Sequence, residues 1–273
     1  MPTLHIKKNN VGDAYLEAIN QVLIHGDSIK TEYDKPDDPP SRDATVLIEI
    51  TDPLSDPIRT RNGKILKIKS IHGNTYEIYG HISDVNLTES IRGGYNEEIL
   101  EGTNNDLIMK SKTSFPYTYH DRIFNYKALG KEDANNKMYF NKVNDIWVYD
   151  STFPSLNQLK PIIKKLKQSP YSRRCQAITW RPYSDPFRDD PPCLQRLWFR
   201  VIDGKLTLQT SWRSRDLFKA WQSNVNGMIH IQKMVADELG VEMGPYVDFS
   251  NSLHLYGFYM KEIIDTLERI NKR

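Results

Sequence analysis

The chain has 273 residues, and its 37 lysines and arginines against 35 aspartates and glutamates leave a formal charge of only +2. That balance lacks the electrostatic footprint of a nucleic-acid binder, while 38% hydrophobic and 11% aromatic residues supply a sizeable core and exclude disorder as the main state. No run of about 18 apolar residues occurs, so no membrane span is expected, and the lysine-bearing amino terminus has no apolar signal core, which makes the cytoplasm the expected compartment.

In chain order, Tyr15, Ala18, Ile19 and Val22 recur at helical spacing and predict a helix over Asp13–Ile24, closed at Gly26 by a positive φ. Ser28–Asp43, rich in Asp, Pro and Lys, reads as an exposed loop. Thr45–Ile50, Lys64–Ile68 and Thr75–Tyr79 read as strands, the last two joined through His72-Gly73-Asn74. A short helix is expected over Asn96–Glu101 and a loop over Asn104–Ser114. Leu156, Leu159, Ile163 and Leu166 form a helical stripe that Pro161 should kink or restart, and the lysines from Lys160 to Lys167 read as its solvated face.

Cys175–Trp180 predicts a strand, and Leu194–Ile202 with Lys205–Ser211 predicts a hairpin across Asp203-Gly204, a dipeptide that accepts positive φ at both turn positions. Ser223 is placed as the cap of a helix bearing Met228, Ile231, Val235 and Leu239 on one face and ending at Gly240. A strand over Tyr246–Tyr256 and a helix over Tyr259–Ile270 complete the pattern. Helices and strands mix without βαβ alternation or a glycine-rich dinucleotide turn, which gives a single α+β domain over residues 1–273.

Two cysteines, Cys175 and Cys193, provide neither a disulfide framework nor a Cys-x-x-Cys metal pair, so no metal is expected. Cys193 stands between Pro191-Pro192 and a strand start, an element end from which its sulfur can face a cleft. Arginines in Ser172-Arg173-Arg174 and Arg213-Ser214-Arg215-Asp216 can favour the thiolate and thus lower the cysteine pKa. The planar forks of Arg173, Arg174 and Arg213 also suit phosphate oxygens, so the implied ligand is an anion.

In order and spacing, Leu156-Asn157-Gln158-Leu159, Pro170-Tyr171-Ser172-Arg173-Arg174, Pro191-Pro192-Cys193-Leu194-Gln195, Arg213-Ser214-Arg215-Asp216-Leu217-Phe218, Asn224 and Leu253-His254-Leu255-Tyr256 resemble the cysteine-dependent, folate-using thymidylate synthases. The likeness spans about 100 residues and is closest to the shorter archaeal-type and nucleotide-hydroxymethylase branches; the first half matches loosely, through Pro116-Tyr117-Thr118-Tyr119 and Tyr95–Gly102. The resemblance implies a mixed sheet covered by helices and dimerising through its uncovered, apolar face.

The resemblance also implies residue roles. Cys193 would add to carbon 6 of a pyrimidine nucleoside monophosphate, Tyr119 would sit at the proton-transfer site, and Glu98 would act through water. Arg213, Ser214 and Arg42 would hold the phosphate, together with Arg173 and Arg174 donated across a homodimer interface. Asn224 would read the base, in a pattern that fits uracil; His254 and Tyr256 would hold the sugar 3′-hydroxyl, and Asp216 would pair with the pterin of 5,10-methylenetetrahydrofolate. Departures from the family lie at Leu194, where many members have histidine, at His120, where glycine is common, and at Ile270-Asn271-Lys272-Arg273, which lacks the apolar terminus that closes over folate. They bear on the finishing step, which separates dUMP methylation from hydroxymethylation of dUMP, dCMP or CMP. A nucleotide-binding relative without catalysis is a third reading.

Overall fold

The structure, a computed structural model, describes residues 1–55, 65–69, 75–79, 117–127, 155–182 and 184–271. Its main sheet runs β1 (Thr3–Lys8), β3 (Ser41–Ile50), β10 (Glu242–Leu255), β8 (Lys205–Trp212), β7 (Leu194–Ile202), β6 (Gln176–Ile178). β2 (Asp27–Ile29) pairs with β3 and β9 (Arg215–Asp216) with β10 at its margins. The sheet is mixed: β1 is parallel to β3 and β8 to β10, whereas β3–β10, β7–β8 and β6–β7 are antiparallel. β4 (Ile65–Lys69) and β5 (Thr75–Tyr79) form a separate antiparallel pair, as expected; their connection lies outside the described residues.

Strand alternation puts Ile6, Val46, Ile48, Leu197, Phe199, Leu206 and Leu208 on one buried face. Helix α1 (Val11–His25) lies on this face against β1, β3 and β10, and α3 (Leu159–Gln168) against β7. Between them α4 (Trp221–Leu239) packs against β8 and β10 and touches both helices, which is why its buried residues extend around most of its circumference. Gln232 of α4 donates from Nε2 to the carbonyls of Leu206 (2.7 Å) and Gly244 (3.0 Å), beside the bulge where β10 shifts register between Met243 and Tyr246. The opposite face carries Leu47, Val247, Phe249 and Trp198 half-buried among Arg196, Arg200, Gln209 and Ser211. The apolar face expected from the resemblance is thus apolar only in part.

Several local expectations change. Asn10 caps α1, accepting from the Asp13 amide (2.8 Å) while its own amide group donates to the Asp13 carboxylate (2.8 Å), a device contributing about 1 kcal/mol. Gly26 ends α1 with φ −61°, not a positive φ; glycine is required because a Cβ would lie 2.5 Å from the Val22 carbonyl and 3.0 Å from that of Asp43. Strand pairing of 27–29 with 41–43 shortens the expected loop to residues 30–40.

Of the two outcomes expected at Pro161, a kink or a restart, the structure has the restart: Pro161 is the third residue of α3, where an amide has no intrahelical partner. Leu156 leaves the predicted stripe for an isolated bridge with Tyr126, and Ile162 takes the buried position. α4 begins at Trp221, before Ser223, and β6 is only three residues long. The Asp203-Gly204 hairpin (φ 50° and 74°) and the Gly240 stop (φ 67°) form as predicted. The last described element is α5 (Met260–Asn271), entered through a 3-10 turn over Gly257–Tyr259. No described helix is long and apolar enough to cross a membrane.

Candidate active site

Hairpin register builds the centre of the site. Because Leu194 pairs with Trp212, the residues just outside the hairpin, Cys193 and Arg213, are neighbours. The Arg213 amide donates to the Cys193 carbonyl (2.9 Å), and its guanidinium donates from Nε to the carbonyl of Pro192 (3.2 Å) and from Nη2 to that of Pro191 (2.5 Å). Arg213 thereby holds the Pro-Pro-Cys turn, and it reaches Asp190 at 3.8 Å.

Burial pushes the half-buried Cys193 thiol upward, with Asp190 acting in the same direction; Arg213 and Arg215 pull it down but do not win. The expectation that arginines depress this pKa is corrected on that ground: desolvation of the sulfur outweighs the guanidinium fields. Among the described residues no three His, Cys, Asp or Glu side chains gather as a metal site.

Helix α2 (Tyr119–Phe124), capped by the Thr118 hydroxyl accepting from the Asp121 amide (3.0 Å), brings Tyr119 to the cysteine. The Tyr119 hydroxyl oxygen accepts from the Leu194 amide at 3.4 Å, and burial holds this phenol neutral, far above its ordinary pKa. α2 is itself pinned by a buried ion pair: Arg122 donates to Asp185 at 2.9 and 2.8 Å and to the Thr179 carbonyl at 2.9 Å. Gln158 adds a second tie, donating to the carbonyls of Arg122 (2.9 Å) and Ile178 (2.7 Å) and accepting from the Ile178 amide (3.0 Å).

β9 runs parallel to the end of β10, pairing Asp216 with His254. Among the described residues the amides of Phe218 (2.9 Å) and Lys219 (3.0 Å) both donate to Oδ1 of Asp216, which leaves Oδ2 for a ligand N–H. Burial raises this carboxyl while the two amides and Lys219 oppose the shift. Burial likewise depresses His254 to about 4, so it is neutral at physiological pH. Its Nδ1 meets the Ser252 hydroxyl (3.3 Å), and its buried Nε2 has no hydrogen-bond partner among the described residues.

The Tyr256 ring lies 4.5 Å from that of His254 and 5.8 Å from Tyr33 of the 30–40 loop. Ser214 is half-buried between Arg213 and the inward-turned Arg215, and Asn224 is half-buried in the first turn of α4.

Thus Cys193, Tyr119, Arg213, Ser214 and Asp216 share the end of the sheet where β7 begins and β8 and β9 finish, with His254 and Tyr256 beside them at the end of β10. Arg173 and Arg174 do not join them. Both are exposed, and the Arg173 carbonyl accepts from the Trp198 indole (3.1 Å), five residues along β7 from Cys193, or about 16 Å of strand.

Arg42 is in β3, not in a loop, and donates to the last-turn carbonyls of Leu23 (3.1 Å) and Ile24 (3.1 Å) in α1, a favourable place for a cation. Glu98 lies outside the described residues. Sequence reasoning passed over Asp190, Asp185, Asp248 and Tyr33. The adjacency of Asp190 to Pro191 could have flagged the first, whereas nothing local distinguishes the others.

The model of the thymidylate synthase family matches residues 109–273. The chain is 28% identical over 258 residues to a protein of Methanocaldococcus jannaschii, covering 93% of this chain and 90% of that one. It is 33% identical over 163 residues to one of Methanosarcina barkeri, covering 59% and 63%. Both bear the name "Putative thymidylate synthase". A protein of Oenococcus oeni named "Thymidylate synthase" is 29% identical over 149 residues, 55% of this chain and 47% of that one.

Proposed function

The chain belongs to the thymidylate synthase family of one-carbon transferases, and on that premise we propose that it converts dUMP to dTMP with 5,10-methylenetetrahydrofolate, the cosubstrate of the family. The observation that carries this reading is the pairing of Cys193 with Arg213 across the open end of the β7–β8 hairpin, a nucleophile beside an anion-binding fork.

In this reading the Cys193 thiol gives up its proton to solvent, and the sulfur adds to carbon 6 of the pyrimidine. Arg213 and Ser214 receive the phosphate. Asn224 donates to a base carbonyl and accepts from the ring N–H, a pattern that uracil offers and cytosine does not. The neutral His254 uses Nε2, buried and without a partner among the described residues, together with Tyr256, toward the sugar hydroxyl. Asp216 offers Oδ2 to the pterin.

The cosubstrate supplies the methylene carbon and the reducing hydride. Tyr119, held neutral, orients the water that removes the carbon-5 proton, and Glu98 is the proposed partner of that water. The whole chain is read as one domain working as a homodimer through the half-apolar sheet face. That pairing would carry Arg173 and Arg174, exposed and remote from Cys193 along β7 in their own protomer, to the partner's phosphate site. Arg42 reaches a phosphate only by giving up its helix-end carbonyls.

A second reading, a pyrimidine nucleotide hydroxymethylase, is favoured by one observation: fully buried Leu194 stands beside Cys193 where many members have histidine. Product mass from dUMP, dCMP and CMP, each with methylenetetrahydrofolate, tests both. A methyl gain on dUMP with growth of dihydrofolate absorbance, absent in Cys193→Ala, is the expected result. A hydroxymethyl gain without dihydrofolate would replace the first reading by the second.

A further inference from the structure

Beneath the candidate site, five buried residues close a ring. The Trp212 indole Nε1 donates to Thr210 Oγ1 (3.0 Å), which lies 2.7 Å from the Tyr246 hydroxyl. The Tyr246 hydroxyl donates to Asp248 Oδ2 (3.0 Å), and Arg215 donates to the same oxygen from Nη1 (2.5 Å) and Nη2 (2.7 Å). The Arg215 guanidinium then returns to Trp212, 3.7 Å from the ring centroid.

The direction of every bond is determined. Three donors converge on Asp248 Oδ2, so that oxygen carries no proton. Tyr246 gives its own proton to it, Thr210 gives its proton to Tyr246, and the Thr210 oxygen receives the indole N–H. None of the five is more than 2% exposed.

The ring adjoins the reacting groups. Trp212 pairs with Leu194 across the hairpin, and its indole meets the Tyr119 ring edge-on at 5.8 Å and 86°. Tyr119 in turn accepts from the Leu194 amide, one peptide from Cys193. A buried ion pair is no better for stability than apolar residues of similar volume, since desolvation cancels most of its Coulomb gain. What this one adds over an apolar core is a single orientation for the indole, gripped at Nε1 and on its face.

We propose that the Trp212–Thr210–Tyr246–Asp248–Arg215 ring is a positioning device for proton transfer: it fixes Trp212, and through Trp212 the distance of the Tyr119 hydroxyl from the pyrimidine held on Cys193. The inference rests on the functional reading above. The five are positioning residues, because none touches the substrate; Arg213, which grips the phosphate, is outside the ring.

The test is a double-mutant cycle on the release of tritium from carbon 5 of labelled dUMP, with dUMP affinity followed by calorimetry. Tyr246→Phe should slow release about tenfold, the scale of a sub-ångström misplacement, while the dUMP Kd stays within about twofold. In a Tyr119→Phe background, Tyr246→Phe should cost nothing further. Equal factors in both backgrounds, or a Kd that weakens in step with the rate, would overturn the proposal. Thr210→Val runs the same cycle if Tyr246→Phe does not fold. Absence of tritium release from the wild type would instead refute the dUMP reading itself, and the ring proposal with it.

Discussion

Replacing Asp185 by alanine tests whether α2, and with it Tyr119, is held by the buried ion pair. Both Arg122 and Asp185 have no exposed side-chain surface. The carboxylate accepts two Arg122 N–H groups, at 2.8 and 2.9 Å, and the Arg181 amide at 2.7 Å. Its removal strands the guanidinium without a counter-charge in a site closed to water, which costs about 3–5 kcal/mol. At roughly 2 °C per kcal/mol for a chain of this size, the melting temperature should fall by ~6–10 °C.

The paired replacement Arg122→Met with Asp185→Leu should recover most of that loss, because the charge and its desolvation penalty disappear together. Thermal and urea unfolding of the three variants measure it, with tritium release from dUMP reporting the displacement of Tyr119. A loss below about 1 kcal/mol in Asp185→Ala would refute the argument, since no buried, uncompensated guanidinium is so cheap.

Electrostatics at the nucleophile give a prediction of opposite signs. Removing a lowering charge with Arg213→Met should move the alkylation pH profile of Cys193 upward, and removing a raising one with Asp190→Asn should move it downward; shifts in the same direction would contradict the charge argument. His254 sits near 4 when folded against about 6.5 unfolded, so the unfolded chain takes up a proton that the folded one refuses. Stability is therefore lost as pH falls from about 6.5 toward 4, by ~3 kcal/mol in full, and His254→Gln should flatten that part of the urea-unfolding profile; superimposable profiles would count against it. A Cβ at Gly257 would overlap the Pro39 carbonyl, so Gly257→Ala should cost about 1–3 kcal/mol and displace the loop that carries Tyr33, weakening dUMP binding in a calorimetric titration. An unchanged melting temperature would show that the loop is not packed there.

Local chemistry alone was enough for much of this. Asp203-Gly204 dictates the hairpin because both residues tolerate positive φ, and the hairpin register then dictates that Cys193 lies beside Arg213. The order of the motifs around Cys193, Arg213 and His254 identified the family, since each motif is a short contiguous stretch.

What local sequence could not carry is the direction in which a side chain turns. Arg213 and Arg215 differ by two positions in one motif, yet one wraps the nucleophile's turn and the other meets Asp248, 33 residues away in sequence, inside the core. Arg42 reads as a loop residue until α1 is seen to end above it, and Gly26 reads as a left-handed stop until the Asp43 backbone is seen to crowd it. The acidity of Cys193 follows the same rule. Nearby arginines are visible in the sequence, but desolvation depends on every element packed around the sulfur, and only the assembled tertiary structure determines that burial outweighs their fields.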